Sequence, residues 1–155
     1  MKVFVLEDDI NRIMLMFEVF SKSPFIQLQI CTSVKEAKAK FTPPYDLILL
    51  DHDLADEHYG GDVDKTEGTG QEFVKWMVDN YYPSSLDNPT VIVHSMNFDG
   101  AKRMLDLLRQ NEYDAYHIPF GMNVLQLLGQ VPQVAGNALT SEPVGGKIDT
   151  SKPTT

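Results

Sequence analysis

Three short polar clusters hold residue types that do chemistry: Glu7-Asp8-Asp9, Asp51-His52-Asp53 and His94-Ser95-Met96-Asn97. Carboxylates held close together repel one another unless a cation sits among them. Oxygen donors of this kind suit Mg2+, Mn2+ or Ca2+, and the expected cofactor is Mg2+ or Mn2+. Asp9, Asp51 and one of Asp8 or Asp53 are the expected ligands, with water filling the remaining positions. Imidazole as a group can gain or lose a proton near neutral pH, so His52 and His94 flanking a phosphodiester could act as base and acid beside Asp51. A cyclic phosphate fits this chemistry because opening its ring needs those two proton transfers. Thr69-Gly70 opens a helical pattern whose first N–H groups favour a phosphate oxygen. Ser95 and Asn97 can hydrogen-bond phosphate or ribose oxygens, and Arg12 or Arg103 can pair with phosphate charge.

Each of these residues also has a plainer reading. Asp9, just before an apolar-periodic run, can be only a helix N-cap. His94 can be a core histidine bonded to backbone, His52 can point away from the pocket, and Thr69-Gly70 can be an ordinary helix start. Arginines on helices are commonly solvated. His117 is a weaker candidate. His58, Tyr59, Gly60 and Gly61 lie in a long acidic stretch, 55–68, whose composition would let it fold over a base ring or remain a mobile insertion.

The elements that must position these groups follow from hydrophobic spacing. Val3-Phe4-Val5-Leu6, residues 27–31, Leu47-Ile48-Leu49-Leu50, Val91-Ile92-Val93 and residues 115–118 read as five strands. Ile10, Ile13, Met14, Phe17 and Phe20 recur at helical spacing over about residues 10–21. Ser33 with Glu36 opens a second helix in a capping-box pattern. Phe73, Trp76, Met77 and Asn80 mark a third helix, starting near Gly70. Ala101, Met104, Leu105 and Leu108 mark a fourth, and Val124, Leu125 and Leu128 a short last one. The pattern is (βα)5. It predicts a doubly wound α/β sandwich of three layers, whose parallel five-stranded sheet is covered on both faces and has strand order 2-1-3-4-5. Ligands in such sheets sit beyond the carboxyl ends of the strands, where the winding reverses. The three polar clusters fall at strand ends one, three and four.

The 155 residues, 43% of them hydrophobic, suffice for one core, taken as residues 1–129. Residues 130–155 are rich in Gly, Pro, Ser and Thr and read as a flexible tail that could order on a partner. No run of about 18 apolar residues and no signal-peptide pattern occurs, so no membrane span and a cytoplasmic location are expected. A solitary cysteine, Cys31, excludes an internal disulfide and reads as a small buried hydrophobe. The net charge of -9 opposes extended nucleic-acid binding. A small phosphorylated, nucleotide-like ligand remains the expected partner, because one metal ion or arginine reverses the local field.

At this point the chain resembles receiver domains. The acids after strand one match their metal-binding acids, Asp51 stands where the phosphoacceptor aspartate does, and Ser95 falls at the Ser/Thr switch position. Receivers carry a Lys before Pro-Phe after strand five. Here His117-Ile118 precedes Pro119-Phe120, so an ordinary phosphoaspartate switch is not expected.

The finer resemblance is to the receiver-like family named for cyclic-phosphate processing. It rests on Leu6-Glu7-Asp8-Asp9 with Arg12, Leu50-Asp51-His52-Asp53-Leu54, Thr69-Gly70, and His94-Ser95-Met96-Asn97 with Gly100, across residues ~1–110. Family members often have Pro after the Asn, where this chain has Phe98. The resemblance implies a receiver-like, flavodoxin-like fold and a metal-assisted phosphoesterase acting on a cyclic or nucleotide-derived phosphate. The alternative is a non-catalytic module that sequesters a nucleotide-derived signalling molecule. A haloacid-dehalogenase-like phosphatase is disfavoured, because Lys102 is poorly placed and the downstream acidic pair is missing.

Overall fold

Alternation along the strands decides which side chains meet which layer. In a computed structural model that describes residues 1–54, 68–84, 86–121 and 126, the strands are β1 (Lys2–Leu6), β2 (Gln27–Cys31), β3 (Leu47–Leu50), β4 (Thr90–Val93) and β5 (Asp114–His117). They form one all-parallel sheet of order β2-β1-β3-β4-β5, as the spacing predicts. Four helices are described between them: α1 (Ile10–Phe20), α2 (Val34–Lys40), α3 (Gly70–Asn80) and α4 (Phe98–Gln110). The loop at 55–67, with His58, Tyr59, Gly60 and Gly61, the last helix expected near 124–128 and the tail at 130–155 lie outside the described residues, apart from Gln126. Strands β4 and β5 begin one residue earlier than the apolar runs suggest. None of the described helices is long and apolar enough to cross a membrane.

Phe4, Leu6, Ile48, Leu50, Val91, Val93 and Ala115 face α2, α3 and α4 in the larger core. The alternate residues Val3, Val5, Leu47, Leu49 and Ile92 face Met16 and Phe20 of α1. Each large side chain buried in this way contributes about 1.5–3 kcal/mol. An aromatic group anchors α3: Phe73 stacks on Phe4 at 5.4 Å and meets Phe41 edge-on at 5.5 Å. That packing fixes where Gly70, the first residue of α3, must lie.

In α1 the apolar face expected from spacing is only partly the buried one. Met16 and Phe20 are buried, whereas Ile10, Met14 and Phe17 are 63%, 64% and 59% exposed. Asp9 sets the rotation by capping the helix, its Oδ1 accepting from Asn11 N at 2.9 Å and Arg12 N at 3.1 Å. The line Arg12, Met16, Phe20, at i, i+4 and i+8, then faces the sheet, and Ile10, Met14 and Phe17 fall on the flank.

Candidate functional site

The same alternation carries past the strand ends. Glu7 continues the parity of Val3 and Val5, Asp51 that of Leu47 and Leu49, and His94 that of Ile92, so all three sit on the α1 side. His52 has the opposite parity and lies under α4.

Glu7 is fully buried and heavily bonded. Its Oε1 accepts from Asp8 N at 3.1 Å and Asp9 N at 2.9 Å, and its Oε2 lies 2.9 Å from His94 Nε2. Burial, the largest single influence, pushes its carboxyl up. The His94 hydrogen bond and charge, the Asp9 N–H and Arg12 outweigh that, and the net position is lowered. An ionised carboxylate only accepts, so His94 Nε2 donates. His94 is itself buried, and its Nδ1 has no hydrogen-bond partner among the described residues.

A lowered folded value means that ionised Glu7 stabilises the fold above its ordinary 4.5, and that this contribution is lost as pH falls below 4.5 toward the folded value. Wild type is therefore expected to be more stable than Glu7→Gln at pH 7, with the gap closing as pH drops below 4.5. Thermal unfolding of both across that range checks it, and a pH-independent gap contradicts it.

Asp51 is buried, and its Oδ1 accepts from His52 N at 2.8 Å. Burial first, and the Glu7 charge second, raise its carboxyl above the ordinary value. His94, the His52 N–H and the Ser95 hydroxyl oppose the rise without cancelling it. Arg12 Nη1 stands 3.5 Å from both Glu7 Oε2 and Asp51 Oδ2.

Glu7, Asp8, Asp9, Arg12, Asp51, Asp53, Leu54, Ser95 and Met96 line a cleft of about 430 Å³. Oxygens of Glu7, Asp8 and Asp51 lie within 4.8 Å of one another, close enough to hold a cation together, which adds Glu7 to the expected ligands Asp8, Asp9, Asp51 and Asp53 around the same cleft. Asp9 faces the same cleft, but one of its oxygens is committed to the α1 cap. Asp53 Oδ1 is held by His52 Nδ1 at 2.6 Å and Asn97 Nδ2 at 3.1 Å. The donor set is all hard oxygen, and Asp51 is raised by like charge beside it. Both features fit Mg2+ or Mn2+, with Glu7, Asp8 and Asp51 the residues that would hold it.

The remaining expected site residues fall partly inside the cleft and partly around it. His52 and His94 stand on opposite faces of the sheet, and neither is among the described residues that line the cleft. His94 bonds Glu7, and His52 packs its ring under Gly100. Of the expected ligand-binding residues, Arg12 and Ser95 line the cleft, whereas Thr69, Gly70, Asn97 and Arg103 do not. Gly70 N donates to His52 O at 2.8 Å. Asn97 Oδ1 caps α4 through Gly100 N at 2.9 Å, and Arg103 Nε bonds Gln71 Oε1 at 3.0 Å between α4 and α3. His117 Nε2 meets Ser95 O at 2.8 Å, bracing the β4 end. These residues form the frame around the cleft.

A family model described as the cyclic-phosphate processing receiver domain matches residues 1–110. The chain belongs to this family. Solved structures similar to this receiver domain include the phosphorylated cyanobacterial phytochrome response regulator RcpA, with 21% identity, coverage of 91% of this chain and 95% of the other, and a TM-score of 0.55. The Mn2+-bound form of response regulator Rcp1 gives 20%, 91%, 96% and 0.55. The non-phosphorylated HemR receiver domain from Leptospira biflexa gives 16%, 86%, 93% and 0.57. At these identities the likeness is one of fold. No curated protein matches the chain.

Proposed function

We propose that this receiver domain is a metal-assisted phosphoesterase acting on a cyclic or nucleotide-derived phosphate. One observation carries the reading: three converging carboxylates and a guanidinium line the same cleft, giving adjacent places for a divalent cation and a phosphoryl group. The Mn2+-bound relative of the same fold supports Mg2+ or Mn2+ as the cofactor. When bound, the cation would polarise a phosphoryl oxygen and make water more acidic. Arg12 pairs with the phosphoryl charge, and the Ser95 hydroxyl, beside Asp51, orients an oxygen of the ester. Acid–base work then falls to the carboxylates that line the cleft.

A second reading, a module that holds a nucleotide-derived ligand without turning it over, is favoured by the histidine placement. With both imidazoles outside the cleft, acid–base work falls to carboxylates alone. Incubating the protein with Mg2+ or Mn2+ and a panel of cyclic phosphates, cyclic dinucleotides and ADP-ribose derivatives separates the two by chromatography. New products that vanish in Asp51→Asn are expected. Depletion of a compound that is released intact on denaturation would establish the binding module instead, and an untouched panel would remove both.

A further inference from the structure

Arg12 lies in the first turn of α1, on the line that continues through Met16 and Phe20 into the core, so the packing of the helix aims its guanidinium at the carboxylates. The two 3.5 Å separations exceed the roughly 2.7–3.2 Å of an N–H···O hydrogen bond. Glu7 and Asp51 each have other partners, Glu7 in two backbone N–H groups and His94, Asp51 in His52 N and Ser95. Toward these two acids, charge therefore holds the guanidinium in place without a close directional bond. Among the described residues no other Lys or Arg pairs with these two acids. The guanidinium carbon stands 5.3 Å from the centre of the Phe120 ring, and Phe120 N donates to His94 O at 2.8 Å, so this aromatic seat is tied to the site. The Arg12 side chain is 27% exposed and reaches the cleft.

We infer that Arg12 is an exchangeable counterion of the site, drawn off the two carboxylates by a divalent cation while it keeps its seat over Phe120, and so freed to hold an anionic phosphoryl group. The inference rests on the cation-site reading above. In the absence of ligand, the guanidinium opposes entry of the cation. Once displaced, it and the cation together present positive charge to a phosphate. Each ligand then raises the affinity of the other by the same factor. The ligand class this selects is a phosphate ester with exposed, charged phosphoryl oxygens, and an uncharged analogue gains nothing from the cation.

The experiment measures Mn2+ binding from the electron paramagnetic resonance of free Mn2+, with methyl phosphate as the anion probe. Without anion, Arg12→Gln is expected to bind Mn2+ about 5-fold or more tightly than wild type. Saturating methyl phosphate should raise wild-type Mn2+ affinity about 5-fold or more, and that of R12Q less than about 2-fold. Arg12→Lys keeps the charge and loses the planar fork. Its anion-free Mn2+ affinity should stay within about 2-fold of wild type while most of the phosphate gain disappears. Equal or weaker Mn2+ binding by folded R12Q, or a phosphate gain retained in either variant, overturns the inference. If R12Q does not fold, the phosphate gain of R12K decides it. Wild type that binds no Mn2+ at millimolar concentration fails earlier, overturning the cation site and this inference with it.

Discussion

Gly70→Ala is expected to cost about 3 kcal/mol or more of stability and to lower the melting temperature by about 6–12 °C. A Cβ on Gly70 would stand 1.9 Å from the Asp51 carbonyl oxygen, 2.9 Å from its carbon and 3.0 Å from His52 Cα. All three atoms are backbone, so no side chain can turn aside. The helix cannot recede either, because Phe73, Val74 and Met77 are buried in the larger core and Phe73 is stacked on Phe4. Helix propensity alone would favour alanine by about 1 kcal/mol, so the sign of the measured change shows whether the clash decides. The shift would also carry the Asp51 main chain out of register with Glu7, and weaker Mn2+ binding should accompany the lost stability. Gly100→Ala should do less, about 1–3 kcal/mol, because its Cβ would meet the His52 ring at 2.5 Å and a side chain can tilt, though Asp53 and Asn97 hold this one. Thermal unfolding by circular dichroism ranks the two. An unchanged or raised melting temperature for G70A would contradict this account of the Thr69-Gly70 pair.

Strand runs and sheet order were legible in the sequence because period-2 and period-3.6 signals are physically distinct and the strands are buried on both faces. Leu47-Ile48-Leu49-Leu50 is buried throughout, as its continuous apolarity implies. The rotation of α1 was not legible. Its apolar residues span a wide arc, and the deciding facts are tertiary: the Asp9 cap and the two carboxylates that draw Arg12 inward. Hydrophobic spacing alone selects Ile10, Ile13, Met14, Phe17 and Phe20; of these the fold buries Phe20, and it buries Met16 beside it.

The location of the site was legible from three polar clusters at strand ends, but the division of labour within them was not. Alternation past the strand end was the available signal. It places Glu7 with Asp51 and His94, and sets His52 on the other face, where Gly100 makes room for the ring. The clusters read as undivided sets give Asp9 as a ligand beside Asp51 and pair the histidines as acid and base, whereas the structure adds Glu7 to the acids and sets the two rings on different faces. Thr69-Gly70 likewise reads as an anion-binding helix start until the approach of the Asp51 backbone, invisible in sequence, accounts for the glycine.

Asp51→Asn is expected to reverse sign with the cation: more stable than wild type in its absence, and insensitive to it when present. An acid whose folded pKa is raised costs stability as pH climbs from its ordinary 3.8 through the folded value, and the full cost is present above that. Burial and the Glu7 charge are the causes, and asparagine removes the charge while its carbonyl oxygen can still accept from His52 N. The lost attraction to Arg12 is small, since a loose, partly exposed pair is worth about 0–1 kcal/mol. At pH 7 and without metal, D51N should therefore melt a few degrees above wild type, and the gap should close as pH falls toward 3.8. Millimolar Mn2+ should raise the wild-type melting temperature, because it binds the folded state preferentially, and should leave D51N unmoved. Losing a ligand should weaken the cation by at least about 100-fold, since outer-shell partners alone are worth about 10–100-fold. Metal-free D51N melting below wild type at pH 7 would mean that the carboxylate serves the fold rather than opposing it. Mn2+ stabilising D51N as much as wild type would move the cation away from Asp51. With both results as expected, the charge repulsion between Asp51 and Glu7 that a cation would relieve favours its binding.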